Sequence, residues 1–377
     1  MGFRRAIQRR FGALRRDRAC CRTFPLIQAP MAGAQDAQLA IAVCKAGGLG
    51  SLPCAMLSRE QARAQMLSLR AATPAPFNVN FFAHVPPQPD PDALARWRDL
   101  LSTFYGEFDI DPAAQAPAAQ RKPFDADFCA LVEEIRPAVV SFHFGLPSDE
   151  LLERVRRAGA KIWGCATSVA EALWLERRGV DAIIAQGREA GGHRGMFLTE
   201  DVDAQPGLFA LLPQVVAAVK IPVIAAGGIA DGRGVAAAFA LGAAAAQIGT
   251  AYLLTPQATI SAIHRAALKN ARDDSTRITN LFSGRPARGL VNRLMEALGP
   301  LHAEAPAFPL ASAAVAPLRA AAESRGSGDF SPLWAGEAAS LAREMDAGEL
   351  TELIWCEALQ AARGLEPALR QAEAQAK

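Results

Sequence analysis

Eight short apolar runs without strict alternation punctuate the chain: PLIQAP, LGSLPC, FNVNFF, VVSFHFG, KIWGCAT, AIIAQG, PVIAAGG and AAQIGTA. Bounded by glycine and proline, they read as strands buried on both faces, the pattern of a parallel sheet. Between most of them lie helical stretches with legible ends. SREQARAQMLSLRAA opens on Ser58 with Gln61 three residues later, and SVAEALWLERRG opens on Ser168 with Glu171, both in capping-box spacing. CKAGG, RRAGA and ERRGV each carry a cation in the last turn, followed by Gly47, Gly159 or Gly179 where a left-handed residue is needed.

Strands alternating with helices in this number predict an α/β fold, a (β/α)8 barrel over residues 23–256, near the typical size of roughly 250 residues. A doubly wound open sheet is the competing architecture. The absence of a GxGxxG fingerprint opening a first helix favours the barrel. Two regions fall outside the repeat. Residues 83–135, with HVPPQPDPD and AAQAPAAQRKP, are a proline-rich insertion between the third strand and the third helix. Residues 257–377 are alanine-rich and mainly helical, with the loop FSGRPARG. Both are assigned to a smaller cap over one end of the barrel, and a C-terminal helix such as GEAASLAREM is expected to close the ring.

Composition narrows the classes of partner. With 51% hydrophobic residues in 377, the chain can bury a large core. A net charge of +2 gives no reason to invoke nucleic acid. The seven cysteines have no CxxC pair and no regular spacing, which points to a reduced, cytoplasmic protein without disulfides or zinc. Residues 1–22 are arginine-rich and almost free of acid, and they lack the apolar core of a secretory signal. A disordered extension or over-long start, organelle targeting and a partner-binding arm all fit this stretch. GVAAAFALGAAAAQIGTAYLL, residues 234–254, has the length of a bilayer span but is mostly alanine and glycine and carries Gln247 and Thr250. It reads as a buried helix followed by a buried strand, so no membrane partner is expected.

In a barrel the active site forms at the carboxyl ends of the strands, and the unusual residues of this chain fall there. GREAGGHRG follows the sixth strand, AAGGIADGRG the seventh, and QIGTAY ends the eighth. Ala226, Gly227, Gly228, Gly249 and Thr250 read as a phosphate cradle, because glycines let backbone N–H groups approach oxygens. His193, flanked by glycines beside that cradle, is the candidate catalytic residue, since imidazole takes and gives a proton near neutrality. His143 is either a hydrogen-bonding core residue or a catalytic one. His84, His264 and His302 are read as structural or solvated. No spacing suggests a metal, and no GxSxG elbow suggests a hydrolase. Ala29, Pro30 and Met31 in IQAPMAG offer a flat apolar surface suited to an aromatic ring system, with Asn80 and Gln186 as neutral donors and acceptors.

IQAPMAG, AGGLGSL, FNVNFF, SFHFGLP, TSVAEA, AQGREAGGHRG, PVIAAGGIADGRG and QIGTAYL, in this order, resemble the nitronate monooxygenases, formerly called 2-nitropropane dioxygenases. The resemblance implies noncovalent FMN at the carboxyl end of the barrel, with Ala29, Pro30 and Met31 against the isoalloxazine. Asn80 and Gln186 would bond its edge or ribityl chain, and Gly191, Gly227, Gly228, Gln247, Gly249 and Thr250 its phosphate side. His193 would face the flavin. The implied reaction is oxidation of an alkyl nitronate by O2 to a carbonyl compound and nitrite, in a monomer or homodimer. Glu337 stands where relatives often have glutamine, and Tyr252 where phenylalanine is common, which puts substrate choice in doubt. The same barrel and histidine loop also serve NAD(P)H-dependent reductases of quinones or enoyl thioesters. A flavin-binding module without turnover is the reading from another class.

Overall fold

The structure of this chain, a computed structural model, describes residues 23–88, 90–111 and 121–375. The basic stretch 1–22 lies outside them, as does most of AAQAPAAQRKP. Eight parallel strands form one sheet: β1 (Leu26–Gln28), β2 (Ser51–Pro53), β3 (Asn78–Phe82), β4 (Val139–His143), β5 (Lys161–Ala166), β6 (Ala182–Gln186), β7 (Val223–Ala226) and β8 (Ala245–Ile248). Each lies in one of the apolar runs. Their order is β1-β8-β7-β6-β5-β4-β3-β2. Leu49 N–H donates to the Leu26 carbonyl at 2.9 Å and Gln28 N–H to the Leu49 carbonyl at 3.0 Å, which bridges β1 to the approach of β2 and nearly closes the ring. This is the barrel, and not the open sheet.

Two-sided burial explains the unalternating runs. Trp163, Cys165, Ile184, Ile224, Ala226 and Ala245 face the barrel interior, whereas Ile183, Ala185, Ala225 and Ala246 face the surrounding helices. Either orientation removes an aliphatic side chain from water, roughly 2 kcal/mol for each large one. Polar residues inside the barrel bond to one another: Ser51 N–H donates to Gln28 Oε1 at 3.0 Å, and Asn78 Nδ2 to Ser51 Oγ at 3.0 Å, while Asn78 Oδ1 stays without a partner.

Helices α1 (Ala37–Lys45), α2 (Arg59–Ala72), α3 (Ala126–Ile135), α4 (Asp149–Arg157), α5 (Val169–Arg177), α6 (Leu208–Ala218) and α7 (Gly232–Ala240) follow the first seven strands. The Ser58–Gln61 box caps α2 in both directions. At α5 only half of the expected box forms. Ser168 accepts from Glu171 N–H, but the Glu171 carboxylate turns to Thr167, whose N–H and hydroxyl it accepts at 2.7 and 2.8 Å. The ring is closed by α8 (Ala347–Gln375), packed on α7 and α1, and not by GEAASLAREM. That segment holds only a 3-10 turn at Ala339–Leu341. Its backbone is pulled onto the loops after β8 and β6 instead: Gly336 N–H donates to Thr250 Oγ1 at 2.9 Å and Glu337 N–H to the Glu189 carbonyl at 3.0 Å.

Over the carboxyl ends of the strands sits a second cluster. Helices Pro91–Leu100 and Ser102–Glu107 of the insertion meet Arg293–Leu298 and Ala311–Ser324 around Trp97, Phe104, Leu318 and Phe330. A three-stranded antiparallel sheet joins Thr276–Thr279, Ala287–Leu290 and the two residues Gly192–His193. The 234–254 run divides among α7, β8 and a 3-10 turn, and no described helix is long and apolar enough to cross a membrane.

Candidate functional site

A cavity of about 280 Å³ opens between the strand ends and the cap. It is lined by Ala29, Pro30, Met31, Asn80, Gln186, Gly191, His193, Gly227, Gly228, Gln247, Gly249 and Thr250, the residues the resemblance places around a flavin. Glu337 and Tyr252 do not line it. Glu337 pairs with Arg288 at 2.8 Å, and the buried Tyr252 hydroxyl lies 2.8 Å from Thr351 Oγ1 on α8.

The loop carrying His193 explains its glycines. Gly192 has a φ of 71°, and a Cβ on Gly191 would stand 2.5 Å from the Gly336 nitrogen. The first needs a left-handed residue and the second an absent side chain. Arg194, with no solvent exposure, straps the loop down. Its Nε donates to Gln205 Oε1 at 2.7 Å, Nη1 to the Gly187 carbonyl at 2.7 Å and Nη2 to the Gln186 carbonyl at 2.9 Å. Gln186 completes the brace, donating through Nε2 to the His193 carbonyl at 3.0 Å and accepting Gly195 N–H at 2.8 Å. His143 Nε2 lies 3.1 Å from the same carbonyl. A carbonyl only accepts, so His143 carries its hydrogen on Nε2 and acts as a hydrogen-bonding residue.

The imidazole of His193 is 2.8 Å from Ser283 Oγ through Nε2. Around it stand Phe308, Trp334 and Phe144, with ring centroids 5.3, 5.4 and 5.9 Å away. Phe144 holds a φ of 70°, a conformation that costs a bulky residue about 1–3 kcal/mol and recurs at functional sites. Burial holds the His193 pKa well below its usual value, and the charges of Arg121 and Arg285 add to the effect. His193 is therefore neutral at physiological pH, a base with its lone pair available.

Burial also pushes His84, His143 and His264 down to about 4. In the unfolded chain each takes a proton near pH 6.5, so acid favours unfolding. Stability from these groups is present above pH 6.5 and is lost as pH falls from there toward 4, by an amount on the order of a few kcal/mol. The urea midpoint should drop steadily between pH 7 and pH 4.5, and a flat profile over that interval would contradict neutral burial of the three rings.

The cavity suits a flat, phosphorylated heteroaromatic group. Gln247 Oε1 is buried without a partner, so it can take an N–H from a ring edge. Among the described residues, the N–H groups of Gly227 and Gly228 have no protein acceptor, as a phosphate cradle requires. Asn80 Nδ2 is already committed to Ser141, donating to its hydroxyl at 2.9 Å and to its carbonyl at 3.2 Å. His264 departs from the structural or solvated reading: it lines the cavity, and its Nε2 is buried without a partner. His84 is buried against Phe308, and His302 sits against Trp97 in the cap. Among the described residues no His/Cys/Asp/Glu group could hold a metal.

Several residues of the site escaped sequence reasoning. Arg194 lies inside the quoted EAGGHRG, yet nothing in its neighbourhood marks it as buried. Glu171 reads as a capping residue, although it also accepts Phe197 N–H at 2.6 Å and so holds the far end of the loop. Glu189 caps α6 from a distance, accepting Leu208 N–H at 2.8 Å. Ser283 and Phe308 come from the cap, about a hundred residues from His193, and no local signal announces them.

Comparison with known proteins adds names to this geometry. The nitronate monooxygenase family profile matches residues 18–357. A nitronate monooxygenase of Pseudomonas aeruginosa is 43% identical over 332 residues, covering 88% of this chain and 95% of that protein. The crystal structure of a nitroalkane oxidase from Streptomyces ansochromogenes superposes with a TM-score of 0.83 at 41% identity, covering 91% of this chain and 98% of the other. FabK from Thermotoga maritima superposes with a TM-score of 0.67 at 27% identity, over 92% of this chain and 96% of the other.

Proposed function

Because this chain belongs to the nitronate monooxygenase family, whose members are flavin-dependent oxidoreductases, we propose that it oxidises alkyl nitronates with O2 to carbonyl compounds and nitrite. The observation that carries this reading is the neutral His193, braced against an aromatic wall of a cavity that also holds the glycine cradle and the unpartnered Gln247 Oε1. FMN bound there supplies the electron acceptor that links nitronate to O2. Ala29, Pro30 and Met31 give its ring an apolar face, Gln247 and Asn80 meet polar edges, and Gly227, Gly228, Gly249 and Thr250 receive the phosphate. Gly191 serves by letting segment 335–336 approach, which holds the loop in place.

His193 does two things with one lone pair or one N–H. Toward an anionic nitronate it orients the oxygens. Toward a neutral nitroalkane it accepts the α-proton, and the negative charge left on the nitro oxygens meets Arg121 on the cavity wall. The cap brings Phe308 and Trp334 over the histidine and excludes water from that proton transfer.

Anaerobic mixing of the flavin-loaded protein with propyl-2-nitronate, and separately with NADH and NADPH, tests the reading. We expect the nitronate to change the flavin spectrum within the mixing time and the nicotinamides to leave it unchanged. Full bleaching by a nicotinamide, with silence toward the nitronate, would assign the site to a reductase of quinones or enoyl thioesters.

A further inference from the structure

Arg121 brings a guanidinium into the cavity wall without the partner such a charge normally has. Its Nη1 is shielded from solvent and makes no hydrogen bond, and among the described residues no carboxylate bridges to it. The carboxylate on the same wall, Glu323, is occupied by Arg319 at 2.8 Å and Ser331 at 2.7 Å. Arg121 instead lies over the ring of Phe308, 5.5 Å from its centroid, and that ring is 5.3 Å from His193. Arg121 is half-buried with one shielded nitrogen that no acceptor meets, and a guanidinium fork matches two coplanar oxygens. The titratable groups whose electrostatics bear on His193 are cations or imidazoles: Arg121, Arg285, His143 and His84. A planar anion entering here therefore finds donors and positive potential, while the Glu323 carboxylate on the wall is already paired.

We propose that Arg121, seated on Phe308, is the specificity-determining residue that reads the negative charge of the substrate, taking the two oxygens of the nitronate group while His193 addresses its carbon side. This rests on nitronate oxidation being the reaction, and it explains discrimination between a nitronate and its neutral nitroalkane, which carries no full charge. The chain thus recruits its anion receptor from the insertion after β3, outside the barrel loops that hold the cofactor.

The test uses the flavin-loaded protein, Arg121→Gln and Arg121→Lys. The first probe is nitrate, a planar trigonal anion with no α-proton and no oxidisable carbon, titrated against the flavin and tryptophan signals. The Gln variant should bind nitrate about 10-fold to 100-fold more weakly than the parent, the range of a lost charge-assisted hydrogen bond, and the Lys variant should recover part of the loss. With substrates, KM for propyl-2-nitronate should rise by a similar factor in Arg121→Gln, while KM for 2-nitropropane changes less than threefold. Equal nitrate affinity in parent and Gln variant, or no nitrate binding by the parent, would overturn the inference. Loss of flavin from both variants would overturn it too, because Arg121 would then serve the cofactor. If the parent binds nitrate through Arg121 yet oxidises no nitronate, the anion subsite stands and the proposed reaction falls.

Discussion

His193→Ala is expected to retain flavin and lose about 10²-fold or more in turnover, the scale of a missing general base. The two substrate forms separate the roles of the imidazole. A preformed nitronate needs only orientation, whereas a neutral nitroalkane needs a proton removed, so kcat/KM for the nitroalkane should fall further. The pH profile of the parent follows from the depressed pKa of His193. Only the neutral ring accepts a proton, so nitroalkane activity should stay level from pH 8 down through 6.5 and decline only in more acidic solution. An alanine variant that turns over both substrates like the parent would remove His193 from the mechanism and leave it a packing residue.

Arg194→Ala should damage stability and activity together. The side chain is fully buried, and its removal takes a donor from the Gln186 and Gly187 carbonyls and from the Gln205 amide oxygen while opening a cavity behind the loop. Unpaired buried acceptors and lost volume each cost on the order of 1–3 kcal/mol, so a total of about 3 kcal/mol or more is expected in urea unfolding. Burial draws the Arg194 pKa down to about 10, still well above neutrality, so the charge persists in the fold. Because the clamp holds the segment that presents His193, kcat should fall at least tenfold in the fraction that remains folded. Arg194→Lys keeps the charge without the fork and should recover only part of either loss. Parent-like unfolding in the alanine variant would show that Gln186 and the cap sheet hold the loop without it.

The barrel was legible in the chain because its strands are buried on both faces and its helices end on glycines with positive φ, such as Gly47, Gly159 and Gly179. Local signals of this kind survive without knowledge of neighbours. The cavity was legible for the same reason: the positions that line it are strand ends and glycine turns. Long-range pairings were not. The two-residue strand at Gly192–His193 exists only because Ala287 and Arg288 pair with it, and a pair of residues carries no periodicity. GEAASLAREM has helical composition, yet Gly336 and Glu337 spend their N–H groups on Thr250 and Glu189. Glu171 followed the capping-box spacing while its buried carboxylate served the loop instead. In each case a tertiary partner outbid a local preference.

The antiparallel pairing between His193 and the strand Ala287–Leu290 also sets an order of events during synthesis. A nascent chain emerges from its amino end, so all eight barrel strands exist before residue 287 does. Parallel pairing around the ring can then advance while the histidine loop still lacks its ladder partner, its Ser283 contact and its Trp334 wall. Completion of the site is then a late event on strands already paired, and a chain interrupted after the barrel would hold the histidine loop through Arg194, Gln186 and His143 alone, without the ladder, the hydroxyl and the indole that the cap supplies.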